Sequence, residues 1–373
     1  MENLDQNAVK IEKKRYSGWR RFFEIMIGIL LAAIAAELFL QISDRGSRGE
    51  FFNDQNTGLL LYKPHTSFIE TSDCYTNTVT INNAGFYAQD IAKEKNPNTY
   101  RIAVVGSSFA ESRSVSLSQH FATLLSQRLN ANAAPNKTFE VIPFGFAGNG
   151  TYLDMLYYDT YVAPYHPDLV IDLITDYEFG EDSPNSAHPP QFDANGKVIL
   201  DLPQTQNSPV AVFAKNILRN SKLIASIYGR LMILRSNMHP KTDPNAVNAS
   251  STTQNAESAT DALWKTQDAL WRTQNALLSQ FKDLARANNS RFLLVSWSRV
   301  LDHLPAPFTS HIQEIAQTHS IPYLDLDPIF AKQYAKEHVS PIWSCGGHWN
   351  TVGNAWTANA IYDELKAQPD LIP

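Results

Sequence analysis

A serine in the first third of the chain and a histidine near its end have the settings from which a nucleophile and its base are built. Ser108 lies in Arg101-Ile102-Ala103-Val104-Val105-Gly106-Ser107-Ser108-Phe109, where an apolar strand turns into a helix. His348 lies in Cys345-Gly346-Gly347-His348-Trp349-Asn350-Thr351, just ahead of an amphipathic helix. A serine hydroxyl attacks well only when a base takes its proton, and the usual base is a histidine oriented by a carboxylate. The oxyanion that forms needs N–H donors aimed at it. Ser108 offers its own N–H at a helix start, and Gly148, in Phe144-Gly145-Phe146-Ala147-Gly148-Asn149-Gly150-Thr151, offers another with the Asn149 amide beside it. Alone, Ser108 reads as a helix cap, Gly148 as a turn former and His348 as a packed loop residue. Their joint placement at element boundaries points to acyl chemistry.

The elements that must position them alternate. Ile102 to Val105, Phe139 to Ile142, Leu169 to Ile174, Phe292 to Val295 and Pro322 to Leu326 are short apolar runs bounded by turn residues, as expected of strands buried on both faces. Helical patterns run from Leu117 to Leu129, Tyr152 to Tyr161, Asp261 to Ala287, Ser310 to Thr318 and Asn354 to Lys366. This order predicts an α/β fold, a three-layer doubly wound sheet of about five parallel strands. Residues 183–260 read as an insertion. It carries a hairpin around Asn195-Gly196, a helical segment from Val210 to Leu234, and a polar loop from Asn237 to Ala259. In the helix that follows, Leu263, Leu270, Leu277 and Leu284 fall seven apart, but Gln267 and Gln274 occupy the companion positions, so a packed surface helix is expected instead of a coiled coil.

With 373 residues and 43% hydrophobic content the chain can bury a full core, and a net charge of −6 supplies no basic field for nucleic acid. Phe22 to Ile42 is apolar and about the 20 residues needed to span a bilayer. Lys10, Lys13, Lys14, Arg15, Arg20 and Arg21 precede it, which puts residues 1–21 in the cytoplasm and the rest outside. The apolar run continues past the small residues Ala33-Ile34-Ala35, favouring an uncleaved inner-membrane anchor over a signal peptide. Glu37 falls within the span, where a carboxylate must snorkel or meet a donor on another helix. Residues 43–98 read as an extension packed on a main domain of residues 99–373. Cys74 and Cys345 both lie on the exported, oxidising side, so either a Cys74–Cys345 disulfide or two free thiols is expected. No metal or cofactor is implied.

Gly106-Ser107-Ser108-Phe109, the Gly148 loop, the Pro167-Asp168-Leu169-Val170 strand and the Gly347-His348-Trp349-Asn350 loop together resemble the four ordered blocks of SGNH hydrolases, the GDSL lipase or esterase superfamily. The resemblance runs from about Asn82 to Ala367 and is nearest to membrane-anchored bacterial members linked to cell-surface polysaccharide acylation. It implies an acyl-Ser108 intermediate, an acylated glycan substrate and a multi-span acyltransferase partner in the membrane. The chain departs from the family pattern in four places. Ser107 and Ser112 replace an aspartate and a glycine, Tyr177 stands where an amide donor belongs, and Cys345 or Gly346 stands where the orienting acid belongs. Asn149 or Tyr177 would then serve the oxyanion, and Asp73, Asp176 or Glu178 would orient His348. Asp73 would be carried there by the disulfide. Two functions follow: a periplasmic serine esterase or O-acyltransferase, or a degenerate glycan-binding or scaffolding subunit of a membrane complex.

Overall fold

The computed structural model describes residues 16–42, 51–54, 56–183, 186, 188–202, 221, 223–224, 227, 253–299, 307–345 and 347–372, with side chains of the long helix at 253–287 described from 268 onward. They fall into two compact units, residues 1–50 with 206–248 and residues 51–205 with 249–373.

In the first unit, helix α1 (Tyr16–Ile42) contains a stretch, Gly18–Leu40, with mean hydropathy 2.2 and long enough to cross a bilayer, a property signal sequences share. Its large side chains have no protein cover: Trp19 is 69% and Phe39 69% exposed. Glu37 has donors within its own chain. Its Oε2 accepts from Ser221 Oγ at 2.8 Å and from the Leu223 N–H at 2.9 Å, while Ser221 Oγ accepts from the Ile224 N–H at 3.1 Å. The carboxylate thus meets a hydroxyl and an open backbone donor of its own chain. Lys10 to Arg15, most of the expected helix at 210–234 and the loop up to residue 252 lie outside the described residues.

The second unit is built on five strands: β5 (Thr99–Gly106), β6 (Thr138–Pro143), β7 (Leu169–Thr175), β8 (Arg291–Trp297) and β9 (Tyr323–Asp325). They pair in the order β6-β5-β7-β8-β9, all parallel. The interior strands are mainly apolar because both faces are covered, with Arg101 of β5 and Asp172 of β7 among the buried exceptions. Ala103 and Val105 of β5 enter one core, and Ile102 and Val104 enter the other. The second core is closed by α3 (Phe121–Ala131) and α9 (Thr351–Ala367), with Leu125 and Ile361 fully buried. The first is closed by α4 (Thr151–Tyr157), α6 (Thr253–Ala287) and α7 (Pro307–Thr318). Two antiparallel hairpins, β1 (Phe51–Asn53) with β2 (Leu60–Tyr62) and β3 (Ser67–Thr71) with β4 (Thr76–Thr80), add Tyr62, Phe68 and Val79 to this core.

Some boundaries differ from expectation. Helix α6 starts at Thr253, not Asp261, because Gln, Ala and Glu continue upstream with no Gly or Pro to stop it. The helix expected to end at Tyr161 passes into a π-turn at Tyr158–Val162. The Asn195-Gly196 turn closes a single bridge, Phe192 to Val198, and no strands. Helix α8 (Asp327–Glu337) was not expected, since Asp327 and Phe330 alone in it are buried. Gln274 is buried at 3% exposure because it bonds Asp182 and Thr151, which makes α6 a packed helix of the domain.

Candidate active site

The turn that carries Ser108 follows from steric exclusion at Gly106. Its φ is +136°, and a Cβ there would meet the Leu173 carbonyl oxygen at 2.4 Å, so no other residue fits. Gly145 is equally constrained, since a Cβ would lie 2.2 Å from Glu111 N. Ser107 then precedes helix α2 (Ser108–Glu111), which Ser112 ends in the left-handed conformation with φ 47°. Ser112 stands where the resemblance expects glycine, and it keeps the glycine conformation, with its hydroxyl donating to Asn354 Oδ1 at 2.9 Å. The loop before α9 is fixed by the Ile342–Trp349 bridge and by Asn350, which caps α9 by accepting from Val352 and Gly353 N–H groups. Trp349 is buried against Phe109, Trp297 and Phe330, and the His348 ring packs on Phe109 at 5.2 Å. The structure joins Cys74 to Cys345 by a disulfide with Cα atoms 5.9 Å apart, which ties the same loop to the β3–β4 hairpin region.

The outcome is that His348 Nε2 lies 3.0 Å from Ser108 Oγ. With Nε2 unprotonated, the hydroxyl donates to it, and the pair can pass the serine proton to the ring as a carbon electrophile is attacked. Neither the Ser108 nor the Gly148 N–H has a hydrogen-bond partner among the described residues. Gly148 has φ +89°, and nothing lies within 4 Å of the point a Cβ would occupy, so conformation alone favours glycine there and the space beside it is open.

The other nominated residues are placed differently. Asn149 is buried and donates from Nδ2 to Asp154 Oδ1 at 3.0 Å, so one of its amide hydrogens is committed to a carboxyl and not to an oxyanion. None of the three nominated acids bonds His348. Asp176 is held by Arg299 through two contacts, at 2.6 and 3.0 Å. Glu178 accepts from Ser107 Oγ at 2.7 Å and Thr175 Oγ1 at 3.2 Å. Asp73 is exposed and makes no hydrogen bond or ion pair among the described residues, although the disulfide brings its neighbour Cys74 to the histidine loop. Tyr177 is 61% exposed beneath the Arg299 guanidinium, 5.8 Å from its ring centre.

Two groups of buried carboxyls adjoin the turn, and the sequence did not single out their pairing. Glu111 accepts from Tyr62 OH at 2.6 Å and pairs with Arg113 at 3.1 Å; Arg113 also reaches Glu70 at 3.5 Å. Burial raises the Glu111 carboxyl, with Arg113 and the Tyr62 hydroxyl pulling against it. The second group is Asp154, Asp172, Glu178 and Asp182. Burial, reinforced by the neighbouring carboxyls, pushes Asp154 up to about 8 and raises Asp172 and Glu178 far above the usual carboxylate range. Asp182 is pushed by burial up to about 6 and is better satisfied, accepting from Thr151 N–H, Tyr152 N–H and Gln274 Nε2. One sequence signal was available: Asp172 interrupts the otherwise apolar buried strand Leu169–Thr175. Among the described residues, no group of three His, Cys, Asp or Glu is arranged to hold a metal ion.

No family model matches the chain, and no curated protein matches it. Solved structures do align with it at low identity. A two-domain esterase active on acetylated mannans is 14% identical with a TM-score of 0.41 over 74% of this chain and 51% of that one, so the chain spans about half of that protein's length. An acetyl xylan esterase is 13% identical with a TM-score of 0.40, covering 70% of this chain and 98% of its own. A lipase/acylhydrolase from Enterococcus faecalis is 14% identical with a TM-score of 0.38, covering 72% and 96%.

Proposed function

We propose that the chain is a serine esterase or O-acyltransferase of the SGNH type, working through an acyl-Ser108 intermediate with His348 as base. The observation that carries this reading is the 3.0 Å approach of His348 Nε2 to Ser108 Oγ, between residues 240 positions apart. The partnerless N–H groups of Ser108 and Gly148 support it as oxyanion donors. In the reaction Ser108 Oγ attacks an ester carbonyl, its proton passes to His348, and the ring returns that proton to the departing alkoxide. Water or a second hydroxyl then takes the acyl group. The sequence resemblance points to acylated cell-surface glycans as substrate. The basic flank of α1 supports an inner-membrane anchor with the catalytic domain in the periplasm, beside a multi-span acyltransferase.

The test is hydrolysis of a small activated acetyl ester, and labelling by a serine-directed phosphonate, with the full chain in detergent. Ser108→Ala is expected to abolish both. Activity and labelling that survive this substitution overturn the reading. One observation favours a second reading, a glycan-binding or scaffolding subunit: Asp176 and Glu178, two of the acids expected at His348, are bonded to Arg299 and to Ser107. Retained glycan binding with no turnover and no labelling supports that alternative.

A further inference from the structure

Glu178 is tied directly to the nucleophile turn, yet it faces almost nothing that can compensate a negative charge. Its Oε1 accepts from Ser107 Oγ, the residue before Ser108, and from Thr175 Oγ1 of β7. Its Oε2 is buried with no partner, and the same holds for Asp154 Oδ2 and both oxygens of Asp172. An ionised carboxylate only accepts hydrogen bonds, so four such oxygens enclosed together cannot satisfy one another. A protonated carboxyl is a donor, and each proton converts one orphan oxygen into a group that can serve its neighbour.

Among the described residues, the groups around Glu178 come from several elements. Helix α4 presents Asp154 and β7 presents Asp172 and Thr175, while Asp182, in the chain after helix α5 (Glu178–Glu181), acts on Asp154 and Asp172. Asp182 takes Gln274 from α6, and the nucleophile turn presents Ser107. The nearest cation that senses Glu178, Arg299, is spent on Asp176. Arg113 serves Glu111 and Glu70. Asn149 donates to Asp154, so the same cluster also anchors the Gly148 loop.

We propose that Glu178 is a positioning residue that acts as a neutral carboxylic acid beside Asp172 and Asp154 and holds Ser107, and so the Ser108 turn, in its reactive geometry. A carboxylate accepts the Ser107 bond more strongly than a neutral acid does, so it is repulsion between like charges in the enclosed cluster that loosens the hold once a second carboxyl ionises on the alkaline side. This inference rests on the Ser108–His348 reading for its effect on rate, but not for the state of the carboxyls. Asp154, pushed up to about 8 by burial and its neighbours, sets the region where the hold gives way.

Glu178→Gln keeps a neutral acceptor of the same shape, whereas Glu178→Ala removes it. Steady-state ester hydrolysis from pH 6 to 10, corrected with Ser108→Ala, reads the result. Glu178→Ala is expected to lower kcat by about tenfold or more with KM little changed, since a small displacement of a reacting group is costly. Glu178→Gln is expected to recover most of that loss and to move the alkaline limb of kcat by about one pH unit or more. Asp172→Asn, which does not touch Ser107, is expected to move the same limb. A limb unmoved in both conservative variants overturns the proposal, as does a Glu178→Gln enzyme no better than Glu178→Ala. Independently of activity, infrared spectra at pH 7 are expected to show a protonated-carboxyl carbonyl band that weakens in Glu178→Gln and Asp172→Asn. Absence of that band in the wild type overturns the inference even if Ser108 proves catalytic. If Ser108→Ala leaves hydrolysis intact, the catalytic reading fails, and the band together with amide exchange of residues 107–112 decides the inference: exchange equal in wild type and Glu178→Ala overturns it.

Discussion

Glu111 and Glu178 are both buried and both bear on the turn that carries Ser108, but they are stabilised by different means. Glu111, at the end of the short helix that Ser108 opens, has Arg113 and the Tyr62 hydroxyl. Glu178, bonded to Ser107 just before that helix, has hydroxyl donors and the carboxyls of Asp154 and Asp172 beside it, and the Arg299 that senses it is paired with Asp176. A cation balances a carboxylate over a wide pH range, and its removal leaves a buried charge. Protons balance a carboxyl only until they leave. One flank of the turn is therefore sensitive to mutation of a single partner, and the other to pH.

The largest effect that tests this contrast comes from Arg113→Met. It strands Glu111, whose side chain is 1% exposed, and should cost about 3–5 kcal/mol in urea unfolding. Adding Glu111→Gln should restore part of it, and a loss below about 1 kcal/mol would mean that Glu111 is protonated too, erasing the distinction.

Next is the disulfide. Cys74→Ser with Cys345→Ser should cost about 2–4 kcal/mol and raise amide exchange around residues 342–350, where the bridge is attached. The pH dependence contributed by the carboxyl cluster should be unchanged by it.

A smaller effect tests the cluster itself. The Asp154 carboxyl loses its proton near pH 4 when unfolded and at about 8 when folded, so between these the native state holds the extra proton. Stability must then fall as pH rises through that window and level off above it, by up to about 1.4 kcal/mol per pH unit for one group. Asp154→Asn should flatten the fall, measured as Tm at pH 5 against pH 8. An unchanged slope would remove Asp154 from the proton-balanced set. The smallest effect belongs to Arg299→Ala. Its pair with Asp176 is 38% and 34% exposed, so the loss should be about 1 kcal/mol or less and should shrink in 1 M salt.

What could be read from the sequence follows from how local each signal is. The five strands were legible because burial on both faces writes a continuous apolar run, and β7 and β8 kept that signature apart from Asp172. Ser108 and His348 were legible because each sits where an element ends, and the distance between them is what the structure adds. The expected acid near His348 was not found by nomination, since Asp176 and Glu178 lie within a short stretch yet have unrelated partners, Arg299 and Ser107. Such partners are chosen by the fold and not by spacing. The donors to Glu37 lie 184 and 186 residues away, and no periodicity reports a contact of that kind. Helix α8 escaped notice because it buries too little to write a repeat.

The Cys74–Cys345 link encloses all five strands of the central sheet in one covalent ring, since β5 begins at Thr99 and β9 ends at Asp325. A protease that cuts once anywhere inside that ring, for instance within residues 183–260, opens it without separating the pieces. The nicked chain should run as one species on a non-reducing gel and as two after reduction. Oxidised folding thereby makes the molecule tolerant of a single break that would otherwise let the strand bearing Ser108 part from the loop bearing His348.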